Sequence, residues 1–341
     1  MLPEFAKYMP LTFLADRRLY TDFVYYQSQF NWDVSGERSQ LIIYHCYWSG
    51  ILSDLHELSL KSLLVTQSPP FEVWIWMPPD DIPRNRAFIA KFQQAPGIKF
   101  KSYIPREEAK GTPFEGHSDL LKGKVASKPR KWGRLIRLAN ALQARSSREH
   151  RNRANWRRLS DIANAFRILV LGKYGGVYFD LDILFLKDLR PLCSVEFFYQ
   201  WSDQQYGNNA VLHFFKWSHN IRLLAERSVE IKSGRSPALL KFEELLGLLE
   251  GVYVFPSFLF DPVWIAHDKG MRLNDYCNKF GEFFTNEAPM TLAEFFPGAY
   301  AYHWHNHWHV AIKPNTIIGN LNAEIQKTFE VNFQPGNQLQ V

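Results

Sequence analysis

Cysteine is scarce in this chain: 341 residues hold three, Cys46, Cys193 and Cys277. An odd number at wide spacing is no disulfide framework, and it points to a reducing compartment. Long apolar runs are missing too. None approaches the roughly 20 residues that a membrane-spanning helix needs, so the chain is expected to be soluble. The stretch MLPEFAKYMPLTFLADRRLY lacks a basic region leading into a long apolar run and is not expected to act as a signal peptide. There are no internal repeats, no low-complexity tracts, no HExxH motif and no cysteine cluster of the zinc-binding kind. These absences leave a globular chain. Its composition, 46% hydrophobic and 22% charged, can fill one large α/β domain or two small ones.

Acidic residues are nearly absent from one stretch. Lys122 to Arg158 carries 13 Lys and Arg against a single acid, Glu149, for a net +12. The whole chain is +6, so the remainder is −6. One segment therefore makes the protein basic, which argues against a general nucleic-acid binder and for one local basic surface. That surface is either a solvated charged face or a contact for phosphates, on an anionic membrane or a lipid-linked acceptor. Aromatics reach 16%. They suit core packing, and surplus Trp and Tyr also suit stacking on sugars or bases.

Strands are predicted at 40–48, 71–76 and 98–103 from β-branched and aromatic runs ended by Ser49-Gly50 and Pro78-Pro79. Between the first two, Leu55, Leu58, Leu60, Leu63 and Leu64 recur near helical spacing behind Ser53, a helix cap. Strand, helix and strand in turn imply parallel crossovers and an α/β sheet. A further helix is predicted at Trp132–Leu142. Another is predicted to start at Ser160 and end near Gly172, with Leu159, Ile162, Ala163, Phe166 and Val170 as its apolar stripe. Asn164 and Arg167, three apart, would share a face largely away from that stripe. The Gly175-Gly176 pair then supplies a turn that tolerates positive φ.

The strand predicted next, VYFDLDILF, places Val177, Phe179, Leu181 and Ile183 on one face and Tyr178, Asp180 and Asp182 on the other. Two carboxylates about 7 Å apart on an otherwise apolar strand are costly without a cation or a cleft. A hard divalent metal takes one or two carboxylates plus substrate phosphate oxygens. Such a pair therefore suits neutralising a departing diphosphate.

The run NAFRILVLGKYGGVYFDLDILF at 164–185 resembles the sugar-binding DXD region of retaining GT-A glycosyltransferases. That group includes α-1,4-galactosyltransferases, yeast α-1,6-mannosyltransferases, bacterial capsule and lipopolysaccharide transferases and the glucosylating clostridial toxins. The runs IYHCYWSG at 43–50 and VWIW at 73–76 are similar to the group's first two strands. The resemblance spans roughly residues 40–215 and, less clearly, 295–312. It implies that Trp48 stacks on the nucleotide base and that Arg167 contacts the sugar or diphosphate. It implies further that Tyr178 lines the donor site, that Asp180 contacts ribose or sugar and assists the metal, and that Asp182 is the direct metal ligand. Asn164 stands where the group usually has Asp; it can hydrogen-bond a sugar hydroxyl but carries no charge. In QQYGNNA, Asn208 and Asn209 resemble an Asn-bearing loop beside the reacting sugar, with Asp203 close by; an ordinary Gly-Asn turn is the competing reading.

The segment YHWHNHWH at 302–309, if extended, puts His303, His305, His307 and His309 on one face. Histidines two apart on a strand suit zinc, but the remaining ligands would have to come from elsewhere. The resembled group often places a His-x-Trp-Asn-like segment here, which implies His303, then His305, as a further metal or phosphate ligand, with Trp304 or Trp308 packed over the donor.

Together these features predict a GT-A-like, Rossmann-like α/β domain, a mainly parallel sheet flanked by helices. It would span 39–320, with an N-terminal extension at 1–38, a basic helical insertion at 122–158 and a tail at 321–341. The expected activity is metal-dependent, retaining transfer of a sugar from a nucleotide diphosphate sugar, UDP-linked by resemblance, with Mn²⁺ or Mg²⁺. The acceptor would be a hydroxyl of a glycan or lipid-linked molecule, as in bacterial surface polysaccharide synthesis. No nucleic acid is expected as a partner. A cytoplasmic location, peripheral at the inner face of the membrane through 122–158, is expected. The competing classes are a degenerate transferase fold that binds a membrane or partner, and a zinc hydrolase built on His303–His309.

Overall fold

The computed structural model describes residues 40–122, 147–202, 207–230, 249, 251–270 and 272–333. The predicted N-terminal extension at 1–38, the helix expected at Trp132–Leu142 and Asp203 lie outside the described residues.

The first strand, β1 (Ile42–Tyr47), leads into helix α1 (Asp54–Thr66) and returns parallel as β2 (Phe71–Met77) and then β3 (Ile98–Ser102). Ser53 caps α1 in extended geometry, and its N–H donates to His56 Nδ1 at 2.9 Å. A long helix, α2 (Ser147–Tyr174), precedes β4 (Gly176–Phe179) and the short β5 (Ile183–Phe185). Then follow β6 (Phe197–Gln200), β7 (Gly207–Phe214), helix α3 (His219–Glu230), β8 (Tyr253–Phe255) and helix α4 (Pro262–Lys269). The last elements are β9 (Ala301–His303) and helix α5 (Ile317–Phe333).

Seven strands form one sheet in the order β3-β2-β1-β4-β7-β6-β8, while β5 and β9 form a second, two-stranded sheet. Only β7 runs against the others in the large sheet. This is the mainly parallel α/β sheet that the sequence predicts. Alternation along the strands divides the core. Tyr44, Cys46, Val73, Ile75, Val177 and Phe179 pack with Leu60 and Leu63 of α1 on one face. Trp76 and Tyr178 pack with Phe166 and Leu169 of α2 on the other. A third cluster, built on Leu184, Tyr302, Trp304, Ile317 and Leu321, lies beneath the small sheet.

Three elements differ from expectation in their boundaries. Helix α2 begins at Ser147, so Ser160 lies inside it. It also runs past Gly172 to Tyr174; at Gly172 Trp217 packs so close that an added Cβ would sit 3.1 Å from its ring. Helix α5 crosses the boundary predicted at 320, since Leu321, Ile325 and Phe329 are buried at helical spacing. The third correction concerns the Asp-bearing strand: β4 stops at Phe179, and Asp180–Asp182 is a turn into the other sheet. Leu181 and Ile183 still join the core of Val177 and Phe179. The predicted faces therefore hold although the strand is broken.

Candidate functional site

Six strands of the large sheet run in one direction, and Tyr47, Trp48, Asp180 and Asp182 gather at their carboxyl edge, where open α/β sheets place ligands. They line a pocket of about 210 Å³ together with Ala163, Arg167, Asn306 and Trp308. Gly176 brings β4 into this position. Its φ is +97°, and a Cβ there would lie 2.2 Å from the Ile43 carbonyl oxygen.

Arg167 is buried over the Tyr178 ring, 4.5 Å from its centroid. Its guanidinium donates to Asp180 Oδ1 at 3.3 Å and to the Asn209 carbonyl oxygen. The Tyr178 hydroxyl donates to the same Asp180 oxygen at 2.7 Å. Asn164 is buried on the neighbouring turn of α2, where its Oδ1 accepts from Asn209 Nδ2 at 3.3 Å. Asn164 and Arg167 thus share a side of the helix, but that side faces β4 and β7. Asn208 and Asn209 lie within β7, where a loop was expected, because Gly207 already pairs with Gln200 across the ladder. Asn208 turns inward. Its Oδ1 accepts from the Ala210 N–H, and its buried Nδ2 has no partner among the described residues.

Asp182 meets the histidine segment. Its Oδ2 lies 3.2 Å from His303 Nε2 and accepts from the Asn306 N–H at 2.7 Å, while its carbonyl oxygen accepts from the Trp304 N–H. The segment is not extended beyond His303. His305, Asn306 and His307 all adopt left-handed backbone, with φ of 54°, 70° and 53°. Such residues cost roughly 1–2 kcal/mol each. The turn persists because Asp182 anchors its amides and His307 Nδ1 lies 3.0 Å from the Trp304 carbonyl oxygen. The four histidines therefore share no face. His303 and His305 instead stack, with ring centroids 3.7 Å apart, while His309 is exposed. Trp304 is fully buried in the core, which leaves Trp308 at the pocket, packed against Trp48 and stacked on His56.

Behind the histidines stands a residue that sequence reasoning missed. Asp261 is completely buried; its Oδ2 lies 2.7 Å from His305 Nε2 and 3.7 Å from His303 Nδ1. Its Oδ1 has no partner among the described residues. The Tyr199 hydroxyl also approaches His303 Nδ1, at 3.2 Å. Asp-Pro at a helix start reads as an ordinary cap, yet the Asp261 side chain makes no capping bond. Nothing local in the sequence marks that departure.

The electrostatics follow from burial and pairing. Burial drives the Asp182 carboxyl up, but His303 and the Asn306 amide outweigh it and hold it well below the usual carboxylate range. Burial pulls the His303 imidazole down, and Asp182 with Asp261 reverses this, raising it to about 9. At Asp180 burial prevails over Arg167, and Asp182 adds like-charge repulsion, so its carboxyl is raised. Three carboxylates here face one permanent cation, Arg167. The surplus negative charge, the unpartnered Asp261 oxygen and the converging Asp182 and His303 atoms fit a divalent cation. Among the described residues, Asp261, His303 and His305 also offer ligand atoms that all lie within 4.8 Å of one another.

Residues 126–205 match the family model described as a glycosyltransferase sugar-binding region containing a DXD motif. Over these residues the chain is similar to the DXD sugar-binding region of glycosyltransferases. The motif's aspartates are Asp180 and Asp182, which fall within the matched residues. A search of curated proteins gave no match. Among solved structures, the PaToxG glycosyltransferase is 14% identical with a TM-score of 0.38, over 72% of this chain and 79% of that one. An active-site mutant of LgtC is 14% identical with a TM-score of 0.41, over 84% and 94%. The glycosyltransferase GlyE of Streptococcus pneumoniae TIGR4 is 10% identical with a TM-score of 0.40, over 89% and 67%.

Proposed function

We propose that this chain is a glycosyltransferase that moves a sugar from a nucleotide diphosphate sugar, UDP-linked, to a hydroxyl of a glycan or lipid-linked acceptor, with retention at the anomeric carbon. The observation that carries the reading is the meeting of Asp182 Oδ2 and His303 Nε2, 3.2 Å apart, beside a pocket that also holds Arg167 and Asp180. Asp182 and His303 would hold Mn²⁺ or Mg²⁺, with Asp180 alongside and His305 as a further candidate. Bound there, the ion supplies charge neutralisation to the departing diphosphate. Arg167 is fixed by Asp180 and Asn209 in a position to stabilise the same charge. Trp48 and Trp308 wall the pocket for the base, with Tyr178, Asn164, Asn208 and Asn209 on the sugar side. The catalytic unit would run from residue 39 through the end of α5, at the cytoplasmic face of a membrane.

The test is release of nucleotide diphosphate from a panel of nucleotide sugars with Mn²⁺. Release is expected, and Asp182→Ala should abolish it. A specific observation favours one other reading: the Asp261, His303 and His305 cluster has the donor set of a zinc site. Stoichiometric zinc in the purified protein, with no release from any donor, would replace the transferase reading with that one.

A further inference from the structure

Beside His305 stands a second aromatic group, distinct from the Trp48–Trp308 wall. Trp201 follows the carboxyl end of β6 and is 37% exposed, so its ring is open to a ligand. Its ring lies 5.9 Å from that of Trp264 on α4 and 6.4 Å from that of His305. Trp264 in turn packs on His305 at 5.4 Å and on Phe280 at 4.9 Å. The Trp264 indole Nε1 is a buried donor with no partner among the described residues, a deficit that a ligand oxygen or water normally fills.

The placement says what such a group is for. From Asp182 a chain of direct contacts runs through His303 and His305 to the two indoles. The donor pocket opens on the β1 and β4 side of that chain, and the indoles stand on the β6 and β8 side. A transfer reaction needs its second substrate beside the reacting carbon, across the diphosphate site from the base. An indole pair with imidazoles at its rim offers apolar faces edged by polar groups. That matches a pyranose ring, whose C–H face is apolar and whose rim carries hydroxyls. A lipid chain would find no reason for the polar rim.

We propose that Trp201 and Trp264 form the acceptor subsite and that its occupant is a sugar ring of the acceptor glycan. The assignment rests on the transferase reading above. Trp201 provides the stacking face, Trp264 fixes its tilt and supplies the indole N–H, and His305 links the subsite to the metal-side residues.

Saturation-transfer NMR tests this, with UDP or GDP, Mg²⁺ and the methyl glycosides of glucose, galactose, mannose and N-acetylglucosamine as probes. With a nucleotide bound, at least one glycoside should receive saturation from protein aromatic protons. Trp201→Ala should weaken that glycoside's binding by about tenfold or more, as the loss of one aromatic stacking partner does, and leave the nucleotide signals unchanged. Trp201→Phe should restore most of it. The persisting nucleotide signal shows that the variant is folded. Undiminished glycoside binding in Trp201→Ala, or no glycoside signal on a nucleotide-bound wild type, overturns the subsite. Loss of the nucleotide's base signals instead would mean that these indoles hold the base, which also overturns it. If neither nucleotide binds, the transferase reading itself fails, and the subsite with it.

Discussion

Asp261 begins α4 but does not cap it; its carboxylate turns to His303 and His305. A histidine that offers one ring nitrogen to a metal commonly gives the other to a carboxylate, which fixes the ring and its tautomer. His303 has this shape, with Nε2 at Asp182 and Nδ1 facing Asp261 and Tyr199. Asp261→Asn is therefore expected to weaken Mn²⁺ activation about 10- to 100-fold while donor binding at saturating metal changes little. Titrating activity against Mn²⁺ measures both quantities, and an unaltered metal dependence would assign Asp261 a packing role only. At this scale the sequence was partly legible. Asp180, Asp182 and Arg167 stand close together in the chain, so their spacing exposes them. Asp261 reaches the site only through the fold, from 79 positions beyond Asp182, and no periodicity marks it.

Among the elements, the parallel strands and α1 could be read because each is a short local pattern. The break after Phe179 could not, since alternation is the same on both sides of it. What breaks β4 is its neighbours: β7 pairs with Gly176–Phe179, whereas Ile183–Phe185 pairs with β9, more than a hundred residues further on. The left-handed turn at 305–307 was hidden for a similar reason, because its stabilising partner is Asp182. The Gly175-Gly176 turn was legible, and its requirement can be measured. Gly176→Ala would drive a Cβ into the Ile43 carbonyl oxygen at 2.2 Å, whereas Gly111, also at positive φ (+70°), has nothing within 4 Å. Gly111→Ala should cost only about 1 kcal/mol, the left-handed penalty alone. Gly176→Ala should cost at least about 3 kcal/mol and disturb the register of β1 and β4. Urea unfolding of the two variants compares them directly, and equal midpoints would show that β1 yields without strain.

Across the whole molecule charge is the least evenly distributed property. Residues 122–158 carry +12 against −6 for the rest. Among the described residues no helix is long and apolar enough to cross a membrane. The first turns of α2 contain Arg151, Arg153, Arg157 and Arg158, and the same helix continues to Ala163 and Arg167 at the pocket. Arginines on the helix that reaches the pocket would, on the proposed function, hold that pocket close to an anionic bilayer, where a lipid-linked acceptor presents its hydroxyl. Each basic residue near such a surface contributes about 1 kcal/mol, screened by salt. Replacing all four arginines by alanine is expected to lower binding to phosphatidylserine-containing liposomes at least tenfold at low salt, while nucleotide diphosphate release from a soluble donor stays within a factor of about two. Co-sedimentation and a release assay on the same protein separate the two effects. Unchanged sedimentation would leave the segment a solvated face, and a parallel loss of release would show that these arginines support α2 and the pocket instead of a membrane contact.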